Sequence, residues 1–266
     1  MSGFKIASCI SVFFVLYTSV HADPVIDRIA KRRKLFIGYE NTSDTKNILF
    51  YQENEEYCGI EYELGKYIAE QLNVETVVVL AKRGRLLQLI DEDKIDLALQ
   101  HTIIQGGNMK NTDVIYSDPY ITTGLGLLCN KKVECTPAIF NSSSIKTAIL
   151  NEPFSLEFGR KFSMSNPKIF IRILDTEKSM YDSLYKQSVD VLIYGYPLLA
   201  SYHSDYEKLF SLHKGYLKGS EGGYAIIMKP EAVKLRKKIN LIIKNWKELD
   251  STVESLKTIT PKAPSH

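Results

Sequence analysis

The chain lacks a strong charge of either sign. Its 34 lysines and arginines nearly balance its 31 aspartates and glutamates, and the formal net charge is +3. Without Lys5, which lies in the leader segment described below, the charge is (34 − 1) − 31 = +2. A nucleic-acid-binding surface needs a clear excess of basic residues. The near balance therefore argues against nucleic acid as a partner.

Long apolar runs are also absent, apart from residues 10–20. This run is too short to span a bilayer comfortably, and Lys5 precedes it, which is typical of a secretory signal peptide. Val20 and Ala22 supply the residues that a signal peptidase reads. We therefore expect a signal peptide at residues 1–22, cleaved after Ala22, and a soluble protein exported to the periplasm. Cys9 precedes the apolar core instead of following it, so no lipid anchor is expected.

Cysteine is scarce, since only Cys58, Cys129 and Cys135 remain after the leader. Cys129 and Cys135 flank a five-residue turn that a hairpin can close, and export permits oxidation, so we predict a disulfide between them. Cys58 is then a buried or unpaired thiol, although its pairing with either of the others stays open. No histidine lies near these cysteines in the sequence, so metal ligation is the weaker interpretation. We expect neither a metal nor a cofactor.

Strand and helix patterns alternate along the rest of the chain, which predicts an α/β fold with mostly parallel sheets. Strands are predicted at 34–39, 74–80 and 95–99 and, after a linker at 137–144, at 146–150, 169–174, 189–194 and 222–228. A long amphipathic helix at 231–250 and a shorter one at 251–259 end the pattern. The order of strands and helices begins again after the linker, and residues 86–99 resemble residues 180–193, with Asp96 matching Asp190. This repeat favours two similar lobes.

Polar side chains follow the strand at 95–99. In open α/β sheets, ligands bind at the carboxyl ends of the strands, so we expect a cleft there. The polar side chains at this edge are Gln100, His101 and Thr102, and Phe50 and Tyr51 follow the polar loop after the first predicted strand.

Four short motifs occur in order along the chain. They are Lys34–Gly38, Cys58–Leu64 (CGIEYEL, similar to the pattern G-F-D-x-D-L), the turn Lys94–Leu97, and Tyr116–Tyr120 (YSDPY, similar to F-S-x-P-Y). Together they resemble the family 3 extracellular solute-binding proteins, periplasmic receptors that deliver amino acids and related small molecules to ABC transporters. The resemblance implies a two-lobed, type II periplasmic-binding-protein-like (Venus flytrap) fold that closes over one ligand. On this resemblance our hypothesis is that a small polar solute lies between the lobes. The side chains expected to hold it are Gln100, His101 and Thr102 from the first lobe, Glu152 and Tyr196 from the second, and Phe50 or Tyr51 as a stacking ring.

The repeated order of strands and helices predicts two segments that link the lobes, near residues 121–126 and 219–223. Together with the resemblance, it predicts how the chain divides between the lobes and with what it associates. Each lobe is expected to be a mostly parallel sheet flanked by helices. The first lobe would comprise residues 23–121 and 219–266, and the second residues 122–218. The expected partners are a small-molecule solute and an inner-membrane ABC permease, and the expected oligomeric state is a monomer.

Some positions depart from the amino-acid clamp of this family. The family usually has an arginine seven residues before the crossover serine, and counting back from Ser117 gives Lys110, which lacks the planar guanidinium fork. Lys110 is a candidate ligand residue, with a solvated surface lysine as the alternative. Gly195 stands where an acidic residue is expected, and Glu152 lies at a helix start that usually binds an anion. These changes favour a cationic, differently posed zwitterionic or largely neutral ligand.

Two other functions stay open beside a non-catalytic receptor. One is a periplasmic enzyme on the same fold, similar to cyclohexadienyl dehydratase, in which Glu152, His101 or Lys110 would act as acid or base. Against it, the sequence has no nucleophile–base pair, no phosphate-binding glycine loop and no cluster of metal ligands. The other is a sensor or accessory protein with altered or lost solute binding.

Overall fold

The structure is a computed structural model and describes residues 23–41, 48–105, 113–141, 144–165 and 169–261, apart from the side chain of Arg83. Its helices are α1 (Pro24–Arg32), α2 (Ile60–Gln71), α3 (Arg83–Asp91), α4 (Pro153–Ser165), α5 (Glu177–Tyr185), α6 (Tyr196–Asp205), α7 (Val233–Lys247) and α8 (Asp250–Ile259). Its strands are β1 (Lys34–Glu40), β2 (Tyr51–Glu53), β3 (Glu56–Cys58), β4 (Glu75–Ala81), β5 (Leu97–Leu99), β6 (Ile103–Ile104), β7 (Ile115–Tyr116), β8 (Ile121–Thr123), β9 (Leu125–Asn130), β10 (Lys146–Leu150), β11 (Phe170–Leu174), β12 (Val191–Gly195), β13 (Phe210–Leu212), β14 (Gly222–Tyr224) and β15 (Ile227–Met228). The predicted linker contains a 3₁₀ helix, Pro137–Asn141.

Two five-stranded sheets of the same design form the core, in the orders β4-β1-β5-β15-β7 and β11-β10-β12-β9-β13. In both, the first three strands are parallel, the fourth is antiparallel to the third, and the fifth is antiparallel to the fourth. All strands but one in each sheet therefore run the same way. This confirms the predicted two-lobed α/β fold with mostly parallel sheets.

Helices cover both sheets. The first sheet packs against α1, α2 and α3, and the second against α4, α5 and α6. Every residue of β9 and β12 is buried, as in strands with helices on both faces. We call the elements around the first sheet the first lobe and those around the second sheet the second lobe. The lobe boundaries at 121/122 and 218/219 stay a prediction.

The resemblance between residues 86–99 and 180–193 corresponds to a repeated structural contact. Asp96 and Asp190 each precede a strand, and each carboxylate accepts a hydrogen bond from a backbone N–H, that of Phe36 or Lys146, at 2.9 Å. Asp96 is buried and is also paired with two arginines of α1, Arg28 and Arg32, whereas Asp190 is half-buried. The two lobes therefore share the backbone contact, and the first lobe adds an ion pair.

The two segments predicted to link the lobes lie side by side. β8 and β14 pair antiparallel, and β6 pairs with the other edge of β14. The predicted strand at 222–228 is divided, because β14 belongs to this crossover sheet while β15 is inserted between β5 and β7. A Cβ at Gly223 would lie 2.5 Å from the Cβ of Pro119 and 2.7 Å from the carbonyl oxygen of Ile121. Glycine is therefore required where these backbones meet.

The chain returns to the first lobe at its C-terminal end, where α7 packs on α1 and α2. Asp23 joins α1 and α7. Its carboxylate accepts hydrogen bonds from the N–H groups of Val25 and Ile26 at the start of α1 (3.1 and 3.2 Å) and of Lys234 and Leu235 at the start of α7 (2.8 and 3.0 Å). One buried side chain therefore caps both helices.

The last helix, α8, contacts α7 and also α6 of the second lobe. The sequence patterns do not predict α6, although Pro197 lies in its first turn, where proline is favoured. Residues 1–22 lie outside the described residues, and so does the predicted cleavage site. Across the described ranges, each helix is too short or too polar to cross a bilayer.

The predicted disulfide between Cys129 and Cys135 is confirmed. Cys129 lies on the buried strand β9, and the chain turns back within six residues, which brings the two Cα atoms to 5.5 Å. Cys58 on β3 is a half-buried free thiol, so neither alternative pairing is present.

We expect the substitution Asp96→Ala to lower the free energy of unfolding by about 3 kcal/mol, because it removes a buried carboxylate that pairs with Arg28 and Arg32 and accepts the N–H of Phe36. The matched change Asp190→Ala removes only a hydrogen bond to the backbone and should cost about 1 kcal/mol. Chemical denaturation followed by circular dichroism measures both. Equal losses for the two variants would contradict an added role for the ion pair.

The double variant Cys129→Ser, Cys135→Ser should lose about 2 kcal/mol of stability, since a short closed loop restricts the unfolded chain by roughly that amount. Reduction of the wild-type protein should give the same loss. Cys58→Ser is the control, and its unfolding midpoint should stay close to the wild-type value under oxidising and reducing conditions alike.

Candidate functional site

His101 lies at the carboxyl end of β5, where the first lobe faces the second. Its side chain is only 1% exposed. Its φ angle is +40°, a left-handed backbone conformation that is uncommon outside glycine but in which asparagine, aspartate and histidine are enriched. Such a conformation is retained when its surroundings hold it, and it is common at functional sites. His101 is therefore a buried, conformationally constrained histidine between two sheets.

Three carboxylates surround the imidazole of His101. Nε2 lies 3.3 Å from Oε2 of Glu40 and 3.4 Å from Oε1 of Glu177, and Nδ1 lies 3.8 Å from Oε1 of Glu61. Glu40 ends β1, Glu61 lies in the first turn of α2, and Glu177 lies in the first turn of α5. We call His101 and these three glutamates the charge cluster. Because α5 belongs to the second lobe, the charge cluster joins both lobes.

Hydrogen bonds from the surrounding structure hold the glutamates of the charge cluster. Oε1 of Glu61 accepts the backbone N–H of His101 at 3.1 Å and the hydroxyl of Tyr120. Oε1 of Glu177 accepts the hydroxyl of Tyr194 at 2.7 Å. Both glutamates lie at helix N-termini, where the helix dipole stabilises negative charge. The other carboxylate oxygen of Glu61 is buried and has no hydrogen-bond partner among the described residues.

The ionisation of the charge cluster follows from its burial and its charges. Burial lowers the pKa of His101, but the carboxylates of Glu177, Glu40 and Glu61 outweigh it and bring that pKa well above its usual value. His101 is therefore an imidazolium at neutral pH. Burial and the Glu61 carboxylate raise the pKa of Tyr120 well above its usual range, so its hydroxyl stays a hydrogen-bond donor. One imidazole and three carboxyl groups therefore share a buried position between the lobes.

Aromatic rings enclose the charge cluster. The ring of Tyr224 on β14 lies 6.2 Å from the imidazole, and the ring of Tyr120 lies 6.3 Å from that of Tyr224. Burial also raises the pKa of Tyr39 well above its usual value, with a further contribution from Glu61. The cluster can therefore stabilise a cation or hold a proton in a dry environment. Within the part of the chain that the structure describes, no group of histidine, cysteine and carboxylate side chains has the arrangement of a metal site.

Of the residues predicted from the strand end, His101 is the one that lies inside the charge cluster. Gln100 is buried next to it, and its side-chain amide donates a hydrogen bond of 3.0 Å to the hydroxyl of Thr102. Phe50 is buried, and its ring stacks on Tyr39 at 4.4 Å. Lys110 lies outside the described residues, so its role stays a prediction.

The remaining predicted site residues lie in other surroundings. Tyr51 lines a groove of about 600 Å³ between α2, α7 and α8 of the first lobe, together with Tyr67 and Trp246. Glu152 is buried and accepts a hydrogen bond of 2.6 Å from the hydroxyl of Ser155 in the first turn of α4. Tyr196 is buried at the start of α6 and packs edge-to-face on Tyr216. Their roles in ligand binding stay predictions.

Three residues of the charge cluster were not predicted: Glu40, Glu61 and Glu177. Glu40 ends the first predicted strand, whose carboxyl end meets that of β5 because β1 and β5 are parallel neighbours. Glu61 stands at the aspartate position of the G-F-D-x-D-L-like motif. Glu177 is at the beginning of a helix after a lobe-two strand. The sequence signal for these three residues was therefore an acidic residue at the end of a strand or the start of a helix. The three residues come together only in the assembled lobes.

Comparisons with known proteins agree with this architecture. Residues 36–258 match the family described as bacterial extracellular solute-binding proteins, family 3. The comparison with curated protein sequences found no match.

Several solved structures have a similar fold. One is an ancestral amino acid-binding protein described as a precursor of cyclohexadienyl dehydratase, with 20% identity and a TM-score of 0.72, covering 89% of this chain and 99% of that one. Another is an amino acid ABC transporter substrate-binding protein from Streptococcus pneumoniae bound to L-arginine, with 14% identity and a TM-score of 0.72, covering 88% and 97%. The arginine-binding protein ArgBP from T. maritima has 21% identity and a TM-score of 0.68, covering 87% and 98%.

At these identities the structural likeness concerns the fold alone. The sequence match, in contrast, extends over most of the chain and includes the residues of the charge cluster. The chain therefore belongs to family 3 of the bacterial extracellular solute-binding proteins.

Proposed function

We propose that this protein is a receptor that closes its two lobes over a small cationic solute and delivers it to an ABC transporter permease. The observation that carries the proposal is the convergence of three carboxyl groups, from both lobes, on one buried position. The solute would be an amine, a guanidinium compound or a basic amino acid. This is narrower than the small polar solute expected from the sequence.

The charge argument rests on the cost of burying carboxylates. Removing a carboxylate from water is unfavourable by several kcal/mol unless a cation or hydrogen-bond donors lie close by. His101 contacts all three glutamates, and the hydroxyls of Tyr120 and Tyr194 donate hydrogen bonds to two of them. A positively charged solute would balance more of the negative charge than a neutral or anionic one. The site therefore favours cations electrostatically.

The position of Glu177 supports binding by lobe closure. Glu177 belongs to the second lobe and approaches His101 to 3.4 Å, while Glu40 and Glu61 belong to the first. All three carboxylates converge only when the lobes are together. A solute that contacts both lobes stabilises the closed state by its preference for that state.

Delivery to a permease is proposed from the family and the fold. Family 3 proteins are extracellular solute-binding proteins, and one similar structure is described as an ABC transporter substrate-binding protein. The two similar structures named for arginine are consistent with a cationic solute. Export through a signal peptide at residues 1–22 stays part of the proposal.

A dehydratase-like enzyme is the second candidate. It is favoured by the buried histidine–carboxylate arrangement, which has the groups of a general acid and base, and by the similarity to the ancestral precursor of cyclohexadienyl dehydratase. An anionic cyclohexadienyl acid fits an acidic cluster less well than a cation does. A sensor or accessory protein without solute binding is the third candidate, and no particular contact favours it.

We expect arginine, lysine or a small amine to raise the unfolding temperature by several degrees, because a ligand that binds only the folded state stabilises it. Glutamate should have no such effect. Glu177→Gln should weaken binding of the stabilising solute about tenfold or more, the loss of one charge-assisted contact. Thermal shift followed by isothermal titration calorimetry measures both.

The matched control is Glu157→Gln, which changes an exposed glutamate of α4 that pairs with Lys161. Its affinity for the solute should equal that of the wild-type protein. Stabilisation by anionic solutes alone, or by no member of the panel, would contradict the proposed function. Conversion of a cyclohexadienyl acid, followed by proton NMR, would instead support the enzyme.

A further inference from the structure

His101 occupies the centre of the site that the carboxylates form. Its two ring nitrogens face glutamates on three separate elements, β1, α2 and α5, and its side chain is 1% exposed. A cationic group of the solute would need the same position, since that position is the point where the three carboxylates converge. The cation site and the imidazole therefore coincide.

The contacts of His101 differ from those of a histidine held only by core packing. A buried structural histidine usually directs a ring N–H into one well-aligned hydrogen bond. Here neither ring nitrogen makes a well-aligned hydrogen bond, although both lie 3.3–3.8 Å from carboxylate oxygens. The imidazole is thus held by contacts with three carboxyl groups rather than by one aligned bond. A different small cation could contact the same three carboxyl groups.

The backbone at position 101 also suits a smaller residue. The φ angle of +40° is one that glycine adopts without steric cost and asparagine tolerates better than most residues. Glycine and asparagine can therefore replace His101 without a change of backbone conformation.

We infer that His101 is a built-in cation that occupies a binding site for a small organic monocation, and that an incoming ammonium, guanidinium or imidazolium group takes the place of its side chain among Glu40, Glu61 and Glu177. This inference rests on the proposed function in taking the charge cluster as the cation site. It adds that the protein closes around its own imidazolium when no solute is bound.

The groups around His101 define how this site depends on pH. Facing it are Glu40 from β1, Glu61 from α2 and Glu177 from α5, with the ring of Tyr224 from β14 at its edge. The folded state raises the pKa of His101, so the stability that its charge contributes is present below the unfolded pKa and is lost as the pH rises through the folded one. His101→Gln should lack this loss of stability on the alkaline side of neutrality.

The direct test is chemical replacement of the missing side chain. The variant His101→Gly should bind free imidazole at a pH at which imidazole is protonated, with an affinity about tenfold or more above that of the wild-type protein. The affinity should fall when the pH is raised so that imidazole becomes neutral. Isothermal titration calorimetry and the imidazole-dependent shift in unfolding temperature measure the effect.

The double variant His101→Gly, Glu177→Gln is the matched control for location, because it keeps the new space and removes one of the three carboxylates. It should lose most of the gained affinity. Gained binding that is unchanged in the double variant would overturn the inference, since the imidazole would then lie elsewhere. Equal affinity of a folded His101→Gly variant and the wild-type protein would overturn it as well.

A variant that unfolds also gives a result. If His101→Gly is unfolded alone and folds on addition of imidazole, the inference is supported. His101→Asn, which retains the backbone conformation with a smaller side chain, is tested in the same way. If both variants are unfolded and imidazole restores neither, His101 is a packing residue and the inference is wrong.

The outcome separates this inference from the proposed function. Suppose that the wild-type protein binds cationic solutes and that the His101→Gly variant binds neither those solutes nor imidazole more tightly. The proposed receptor function would then stand, and the inference that His101 is a built-in cation would be wrong. If the variant binds imidazole but the wild-type protein binds no solute, the inference about His101 is supported and the proposed receptor function is contradicted.

Discussion

Buried negative charge has to be balanced close by, and this requirement governs the region where the lobes meet. Glu61 is fully buried and Glu177 nearly so, and neither could stay there without nearby donors or cations. The structure provides an imidazolium, two tyrosine hydroxyls and a backbone N–H at this point. These groups come from both lobes, so the charge balance and the closed arrangement of the lobes depend on each other.

The fold brings these groups together through two ordinary properties of parallel sheets. Neighbouring parallel strands end at the same edge, which places Glu40 after β1 beside His101 after β5. The helices that follow such strands begin near that edge, which places Glu61 and Glu177 there in first turns. Because both lobes have the same strand arrangement, each one presents acidic groups to the other. The repeated contacts of Asp96 and Asp190 reflect the same duplication.

The sequence predicted the two α/β lobes, the disulfide and His101 at a strand end, because these depend on periodicity, spacing and local order. It did not predict the glutamates of the charge cluster. Glu40, Glu61 and Glu177 are far apart along the chain, and each alone is typical of a solvated residue at the end of a strand or the start of a helix. The division of 222–228 into β14 and β15 was also missed, since a continuous apolar run does not show that its two halves join different sheets. Tertiary pairing, rather than local pattern, decides both.

The insertion of β15 between β5 and β7 has a consequence for the order of biosynthesis. The first sheet lacks the strand that joins β5 to β7 until the segment near Ile227 has been made, and Asp23 cannot cap α7 before the helix follows. Contacts between such distant parts of a chain slow its folding. The N-terminal half therefore cannot complete its sheet while the ribosome is still translating the second lobe.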